Sequence, residues 1–381
     1  MKTHTLLLAI LIGLMIQLPS LLTATDTRVE TLGASGVFLE DESNIWNHPS
    51  ALLRYTNQLV LGLGGQSSIL TPASELATLG TFALPRGMAL GLGFGSAERD
   101  VTFAPLNAEE QVHLFWGISR GERRYGLRLS RFGTIRDAPP QFERSVGITQ
   151  CYIGLESMMS ADRRFEVTIL AEDTRFAEIR NGDTDSESTA YWKLGLHSRL
   201  VTTLTENVRL VPVLEVTVGH RGTDLYTDGA ISETREEGYY VAQAGVAFEL
   251  TSADDLLVIL HVSTKVDYLQ ETTSLSSEES GMTIWDIAWV GLGLERWVNA
   301  WLAIRVGAGL RLRLEDSKES GASNSLKEVH TLTAHTLGLA MQYGGFQVDF
   351  AIDPTYLKRG PHFISGTSMP LFGKATLTYR F

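Results

Sequence analysis

The chain of 381 residues carries 32 basic and 44 acidic side chains, so its formal net charge is −12 at pH 7. This acidic balance argues against a nucleic acid as a partner. The chain has one cysteine, Cys151, which excludes an intramolecular disulfide framework.

Residues 1–24 are typical of a secretory signal peptide. Lys2 precedes an apolar run from Leu6 to Leu18, and Pro19 ends that run. Thirteen residues are too few for a membrane-spanning helix, which needs about 20. We therefore expect cleavage near Ala24, which removes Lys2 and leaves a mature chain with a net charge of −13. No apolar run of 18 residues follows, so a helical membrane protein is excluded.

Residues 25–56 form a segment that lacks strand-like alternation. Its second half is rich in turn-forming residues, with an acidic stretch from Asp41 to Asn44 and a second turn from Asn47 to Ser50. Pro49 has a fixed φ and pushes His48 to extended geometry. The stretch Ser50 to Leu53 can form one helical turn.

Residues 57–381 alternate between apolar and polar side chains. From Ala300 to Leu314, leucine, isoleucine and valine occupy one parity, whereas Arg305, Arg311 and Arg313 occupy the other. Successive side chains of a strand point to opposite faces. The clearest segments exceed the usual strand of about five residues and match the 9–11 of a tilted transmembrane strand. An all-β, antiparallel transmembrane barrel of 14–16 strands follows, and sixteen are counted: 57–64, 76–84, 87–96, 111–119, 122–131, 146–157, 163–172, 188–200, 206–218, 238–249, 256–268, 283–295, 300–314, 329–342, 345–352 and 372–381.

The connections between these strands alternate in length. Short turns such as Arg120-Gly121 alternate with long acidic loops such as 173–187 and 219–237. Outer-membrane barrels have short periplasmic turns and long outer loops, so both chain ends are expected on the periplasmic side. The acidic loops are either a contact zone for divalent ions and lipopolysaccharide or simply solvated loops.

The last strand ends on an aromatic residue. Leu377, Tyr379 and Phe381 share one parity, so they are expected to form an apolar edge that faces lipid. This ending resembles the signal by which the barrel-assembly machinery recognises outer-membrane proteins. Pairing of this edge with the first strand would close the barrel.

The side chains of the other parity are expected to line the lumen. They carry both charge signs, with basic residues in the majority, and they also include aromatic groups. One interpretation is a path that prefers anions; the favoured one is an internal set of ion pairs, with Glu40, Asp41 and Glu42 paired to the surplus arginines. The principal lumen-lining residues are Arg128, Arg209, Glu215, His261, Lys265, Arg305, Arg311 and Arg313; the inward aromatic residues are Phe115, Tyr152, Tyr191, Tyr239 and, by a less clear alternation, Trp285 and Trp289.

The N-terminal segment resembles that of FadL/PorV-type outer-membrane barrels. The matching residues are Gly33-Ala34-Ser35-Gly36, Glu40-Asp41, Ile45-Trp46-Asn47 and Pro49-Ser50-Ala51-Leu52. The chain departs from the family pattern by His48 and by Ser50-Ala51. The resemblance implies fourteen strands and a plug inside the barrel, to which Gly33, Asp41, Trp46, Asn47 and Pro49 belong. It implies passive entry of hydrophobic molecules in the FadL branch and a role in secretion in the PorV branch.

No catalytic, metal-binding or phosphate-binding motif is present, and a shared face for His261 and Ser263 does not make a catalytic pair. We therefore expect a non-enzymatic barrel without a cofactor. The expected partners are outer-membrane lipids and lipopolysaccharide, the barrel-assembly machinery and a small hydrophobic ligand. The favoured function is FadL-like passive transport of hydrophobic or amphipathic molecules across the bacterial outer membrane. The alternative is a PorV-like or structural barrel that serves secretion or surface assembly.

Overall fold

A computed structural model describes residues 27–33, 37–64, 78–101, 104–138, 142–180, 183–227, 230–252, 255–273, 279–318, 326–352 and 371–381. The predicted signal peptide lies outside these residues. The described chain forms sixteen antiparallel strands in one closed barrel. They are β1 (Gln58–Gly64), β2 (Thr78–Leu84), β3 (Met88–Val101), β4 (Ala104–Arg120), β5 (Arg123–Ala138), β6 (Phe142–Ser160), β7 (Arg163–Arg180), β8 (Asp183–Thr205), β9 (Val208–Thr227), β10 (Ala230–Ser252), β11 (Leu256–Thr273), β12 (Glu279–Asn299), β13 (Leu302–Lys318), β14 (Leu326–Tyr343), β15 (Phe346–Ile352) and β16 (Phe372–Arg380).

Each strand pairs with its neighbours in sequence, and the first strand pairs with the last. Gln58 of β1 lies opposite Arg380 of β16, and the amide of Phe381 donates a hydrogen bond of 3.0 Å to the carbonyl of Asn57. Closure satisfies the backbone groups that an open edge would leave unpaired. The predicted all-β barrel with sixteen strands is therefore confirmed, whereas the fourteen strands implied by the family resemblance are wrong for this chain. We call the end at which β1 begins, β16 ends and the short turns lie the turn end, and the opposite end the far end.

Several strands are much longer than the alternation predicts. β8 and β10 each contain 23 residues, whereas β1, β2 and β15 contain seven. At about 3.3 Å per residue, 23 residues extend about 76 Å along the strand. The predicted long loops 173–187 and 219–237 are therefore wrong over most of their length, because Glu187 and Asp224 lie in paired strands. The strands continue into stretches whose residues are polar at both parities. Backbone hydrogen bonds still join these stretches, but the alternation of apolar and polar residues, on which the prediction depends, has ended there.

The outer face of the barrel is apolar. Ile169, Leu292 and Leu310 keep 56%, 49% and 48% of their surface exposed, in strands whose opposite parity is buried. So large an exposed apolar surface is expected of a barrel that faces lipid. Separately, no helix among the described residues is long and apolar enough to span a membrane.

The described residues between Thr27 and Tyr55 lie in the lumen, and residues 25–56 are called the plug segment below. Two short helices, α1 (Thr27–Thr31) and α2 (Asn44–Asn47), are followed by a 3-10 helix (Pro49–Leu53). The 3-10 helix occupies the predicted helical turn, whereas α2 replaces part of a stretch expected to be irregular. α1 lies against β13–β16 and the 3-10 helix against β3–β6, so the segment crosses the barrel.

Candidate functional site

Glycines on the inner face of the barrel make room for the plug segment. A Cβ atom on Gly126 would lie 2.1 Å from the carbonyl carbon of Pro49, and one on Gly154 would lie 3.1 Å from the Pro49 ring. On the opposite wall, a Cβ on Gly293 would lie 2.5 Å from the carbonyl oxygen of Leu32. The main chain of the plug segment therefore approaches the strands more closely than any other residue type would allow. Further inward glycines of this belt are Gly91, Gly93, Gly117, Gly245, Gly307 and Gly338.

Trp46 anchors the plug segment to β4 and β5. Its main-chain carbonyl accepts a hydrogen bond of 2.6 Å from Nη1 of Arg128. The guanidinium of Arg128 also lies 5.0 Å from the centre of the Trp46 ring and 4.5 Å from that of Tyr152. The Trp46 ring meets His113 and Phe115 edge-on, with ring centres 4.8 and 5.1 Å apart. Arg128 thus combines a charge-assisted hydrogen bond with cation–π contacts in a buried position.

Glu40 of the plug segment binds arginines of the barrel wall. Its carboxylate lies 2.6 Å from Arg164 and 3.2 Å from Arg209, and it also pairs with Arg54 of the plug segment itself. Burial alone would raise the pKa of Glu40, but the charges of Arg54 and Arg164 outweigh it, and the pKa lies below its ordinary value. The predicted pairing of Glu40 with surplus lumenal arginines is therefore present.

Glu166 of β7 organises the same cluster from the wall. Its carboxylate lies 2.7 Å from Arg199, 2.8 Å from Arg164 and 3.0 Å from Arg54. Arg199 also donates a hydrogen bond of 2.7 Å to the side chain of Asn44. Because these ionic groups are buried, removal of one partner leaves an uncompensated charge and typically costs 3–5 kcal/mol.

A second ionic cluster fixes α1 to β12, β13 and β15. Glu295 lies between Arg28 of α1 and Arg305 of β13, at 2.8 and 2.5 Å. Arg305 in turn contacts Asp349 at 2.5 Å. Lys374 of β16 lies 2.6 Å from Glu30 of α1. The plug segment therefore has charged anchors on opposite walls, which favours an internal set of ion pairs over an open path lined by free arginines.

His48, which departs from the family pattern, is buried inside the barrel. Its Nδ1 lies 3.0 Å from the hydroxyl of Thr168, and only 2% of its surface is exposed. Burial, and then the charge of Arg199, lowers the pKa of His48 to about 3. The imidazole is therefore neutral at physiological pH.

The remaining predicted plug residues shape the plug segment itself or fit it against the wall. Gly33 has φ +60°, and a Cβ there would lie 3.2 Å from the backbone of Ala308. Asp41 accepts hydrogen bonds from the amide and hydroxyl of Ser43 at 3.0 and 2.5 Å, and it lies 4.0 Å from Arg28. Asn47 is the last residue of α2. Burial, then Asp41 and Asp349, raises the pKa of the neighbouring Glu42 to about 7.

His261 contacts the plug segment and not a nucleophile. Its Nε2 lies 3.2 Å from the carbonyl oxygen of Gly33, and its ring stacks on Phe38 with centres 4.9 Å apart. Ser263 faces the same lumen, but no hydrogen bond joins the two residues among those the structure describes. The geometry therefore assigns His261 to plug docking.

Asp286 is a lumenal residue that the alternation does not reveal. Its carboxylate lies 2.9 Å from Arg313 and 3.6 Å from Arg311. An irregularity in the β12–β13 register at Ile287 changes the parity, so both Asp286 and Trp289 face inward. The inward placement considered for Trp285 is wrong, because this ring is 48% exposed on the outer face. In the sequence, the apolar residues of β12 change from odd to even numbers between Trp285 and Trp289, and this reversal indicates the irregularity.

A row of three inward residues lies across β11, β12 and β13 beside the plug segment, because Ser263 of this row lies directly opposite Gly245, where a Cβ atom would lie 2.7 Å from the ring of Phe38. Trp289 lies directly opposite Ser263 on one side and Arg311 on the other, and the Arg311 guanidinium lies 4.5 Å from the centre of the indole. Ser263 Oγ, Trp289 Nε1 and Arg311 Nε are buried atoms that have no hydrogen-bond partner in the structure. Three adjacent donors without acceptors suit a polar group that enters the lumen.

Other predicted lumen residues pair within the wall. Glu215 contacts His197 at 2.9 Å, and Lys265 contacts Asp267 at 2.8 Å. Arg209 contacts Glu249 at 3.5 Å as well as Glu40. Towards the far end, Arg221 lies over the ring of Phe176 at 5.2 Å and 3.8 Å from Glu237. Ion pairs therefore line the inner wall from the level of Glu40 towards the far end.

The predicted assembly residues lie on the outer face at the turn end. Thr376 and Thr378 of β16 are buried inward, so Leu377 and Tyr379 face outward. Tyr379 stacks on Phe346 with ring centres 4.4 Å apart, and Phe381 keeps 57% of its surface exposed. Recognition of these residues by an assembly machinery stays a prediction. Within the described ranges, His, Cys, Asp and Glu form no group of three or more that could hold a metal ion.

No protein-family model matches the chain, and no curated protein matches it. Solved structures of outer-membrane barrels do. The copper transporter OprC is 9% identical, with a TM-score of 0.50 over 79% of this chain and 51% of its own. The ferric citrate transporter FecA is 8% identical, with a TM-score of 0.48 over 77% and 58%. The Pseudomonas putida toluene transporter TodX is 11% identical, with a TM-score of 0.42 over 92% and 94%.

The likeness to OprC shows the fold alone. The chain is built as an outer-membrane β-barrel, and it spans about half the length of OprC and FecA. Identities near 10% carry no information about substrates.

Proposed function

We propose that the protein is a passive transporter of small amphipathic molecules in the bacterial outer membrane, similar in kind to FadL barrels. The observation that carries this proposal is the row of Ser263, Trp289 and Arg311 beside the plug segment. It combines an apolar aromatic surface with three buried donors that lack acceptors. Such a lining suits a ligand with an apolar body and one hydrogen-bond-accepting group better than it suits small inorganic ions.

The docked plug segment supports the same proposal. Its packing on the glycine belt and its ionic anchors on both walls obstruct a simple aqueous pore. An obstructed lumen favours a ligand that is bound and passed on over free diffusion of water and salts. The N-terminal motif that resembles FadL barrels lies within this segment.

The wall between β4 and β5 offers an apolar surface near the plug segment. Their register ends at Glu110 and Gly133, although β4 continues to Ala104 and β5 to Ala138. A cavity of about 480 Å³ lies beside this end of the register and is lined by Val112, Leu114, Leu129, Ser130, Arg131 and Gly133. A molecule that leaves the lumen through this wall would meet apolar side chains that face the membrane.

Uptake by proteoliposomes tests the proposal. Vesicles that contain the purified full-length protein should accumulate a radiolabelled medium-chain fatty acid or aromatic hydrocarbon faster than protein-free vesicles do. Trp289→Phe keeps an aromatic ring but removes the indole donor, and Trp285→Phe is the matched outward control. Slower uptake by the first variant alone supports the lumenal route, whereas equal rates with and without protein overturn the proposal. That negative result would favour the alternative of a PorV-like or structural barrel that serves secretion or surface assembly.

A further inference from the structure

The turn end of the barrel carries an arc of exposed arginines on three neighbouring turns. Arg86 lies in the β2–β3 turn, Arg120 and Arg123 flank the β4–β5 turn, and Arg163 begins β7. All four are exposed. The turns adjoin one another, because Met88 lies opposite Ile118, and the amide of Met158 donates a 3.0 Å hydrogen bond to the carbonyl of Glu122. We call these four arginines the basic arc.

Strand alternation fixes the direction of the three members that belong to strands, Arg120, Arg123 and Arg163. On β5, Arg124, Gly126 and Arg128 face the lumen, so Arg123 faces outward on the same side as Tyr125. On β7, Arg164 and Glu166 face the lumen, so Arg163 shares the outer face with Phe165. Each of these arginines therefore lies two residues, or about 7 Å along the strand, from an outward aromatic residue. That is the order of groups expected where the apolar band of a membrane meets its head groups.

The arginines of the basic arc lack protein partners. Among the residues that the structure describes, none of the four guanidinium groups forms an ion pair with a carboxylate. Arg120 lies directly opposite Arg123 in the β4–β5 register, so two like charges are neighbours on the outer face. Like charges in directly opposed positions destabilise a sheet unless an anion lies between them. Arginine binds phosphate oxygens with two parallel hydrogen bonds, which a single ammonium group cannot match.

The other turns of the same end have the opposite character. Glu206 and Asp255 lie in these turns. The exposed arginines beside them have side-chain partners, since Arg296 of β12 lies 3.8 Å from Asp255 and Arg380 of β16 donates a hydrogen bond of 3.3 Å to Gln347. Aromatic residues dominate there instead, with Trp301, Tyr343 and Phe346 exposed. The three turns of the basic arc carry four arginines against the two acids Glu122 and Asp162. Among the described residues of this rim, the exposed arginines without a side-chain partner thus lie on one side.

We propose that the basic arc binds the phosphate groups of anionic phospholipids in the leaflet that surrounds the turn end. This inference rests on the location in a membrane that the proposed function includes, but it does not depend on transport. Arg120 and Arg123 would share one lipid phosphate between them, while Tyr125 and Phe165 contact the first part of its acyl chains. The arc would fix the height and tilt of this side of the barrel in the bilayer.

Lipid selectivity measured by electron spin resonance tests the proposal. The full-length protein is reconstituted in phosphatidylcholine, and the motionally restricted fraction is compared for spin-labelled phosphatidylglycerol and spin-labelled phosphatidylcholine. The wild type should select phosphatidylglycerol, and 0.5 M NaCl should weaken this selectivity only in part. In R120Q/R123Q the relative association constant for phosphatidylglycerol should fall by up to about fivefold per arginine removed.

The matched control is R296Q, which removes an exposed arginine from the same rim that is already paired with Asp255. It should keep the wild-type selectivity. R163Q provides a second variant on another turn and should show a smaller loss. Equal selectivity in wild type and R120Q/R123Q, or an equal loss in R296Q, would overturn the proposal. This experiment does not measure transport, so the failure of a transport assay would not change what the lipid selectivity shows.

Discussion

The carbonyl oxygen of Trp46 accepts a 2.6 Å hydrogen bond from Arg128, whose guanidinium also lies over the indole ring of the same residue at 5.0 Å. One wall residue therefore holds both the main chain and the side chain of the plug segment. Arg128 is buried and also donates to Ser130 at 2.8 Å. This contact predicts that the position of the plug segment depends on Arg128 more than on any outward arginine of the same strand.

The first prediction concerns Arg128→Leu. The substitution leaves the Trp46 carbonyl without this donor and should weaken docking of the plug segment by about 2–3 kcal/mol. Hydrogen exchange of residues 44–53, read by mass spectrometry, should become faster, while exchange in β8–β10 stays unchanged. Arg131→Gln changes the next outward arginine of β5 and should leave the exchange of residues 44–53 as in the wild type. Unchanged exchange in Arg128→Leu would show that Trp46 is held by other contacts.

The second prediction concerns the glycine belt. In Gly126→Ala the new methyl group would meet the main chain of Pro49 and Ser50, which cannot move aside as a flexible side chain could. Overpacking of this kind costs about 1–3 kcal/mol, so the 3-10 helix should shift and ion conductance in a planar bilayer should rise. Gly147→Ala is the matched control on β6, because a Cβ atom there would meet nothing within 4 Å. Equal conductance in both variants would rule out close packing at Gly126 as a seal.

The third prediction concerns the pH dependence of docking through His48. The pKa of His48 in the folded protein is about 3, below the ordinary value of 6.5, so docking favours the neutral imidazole. The contribution of His48 to docking is therefore complete above about pH 6.5 and is lost as the pH falls towards 3. The loss amounts to at most about 1.4 kcal/mol per pH unit in this window.

The measurement is the ¹⁹F resonance of Trp46 in protein labelled with fluorotryptophan, assigned with Trp46→Phe. It should move towards a solvent-exposed position as the pH falls from 7 to 4. His48→Gln keeps a group that can bond to Thr168 but removes the titrating imidazole, so its resonance should move less. An identical pH profile in both proteins would exclude His48 as the cause.

Strand count and side-chain direction could be predicted because they depend on local alternation. Arg305, Arg311 and Arg313 share a parity in the sequence and share the lumen in the structure. Asp286 could not be predicted in the same way, because the irregularity at Ile287 changes parity within β12. The sequence carries this irregularity as a reversal of apolar parity between Trp285 and Trp289, but that reversal does not say at which residue the register changes.

The close fit of the plug segment was also beyond prediction from alternation. Gly126, Gly154 and Gly293 lie at inward positions, but glycine has no side chain that could be assigned to a face. Their role depends on contact with Pro49 and Leu32, which are distant in sequence. The ends of the strands were missed for a related reason, because pairing continues through Glu187 and Asp224, where the side chains no longer indicate a buried face.

The most direct test of a lumen closed by its own N-terminal segment is single-channel conductance with and without residues 25–56. The barrel without this segment should remain folded, because strand pairing closes it independently, and circular dichroism checks that it does. The wild type should show low conductance, and the deletion variant should show stable openings of much higher conductance. Equal conductance in two folded proteins would contradict the account, because the plug segment would then not obstruct the lumen.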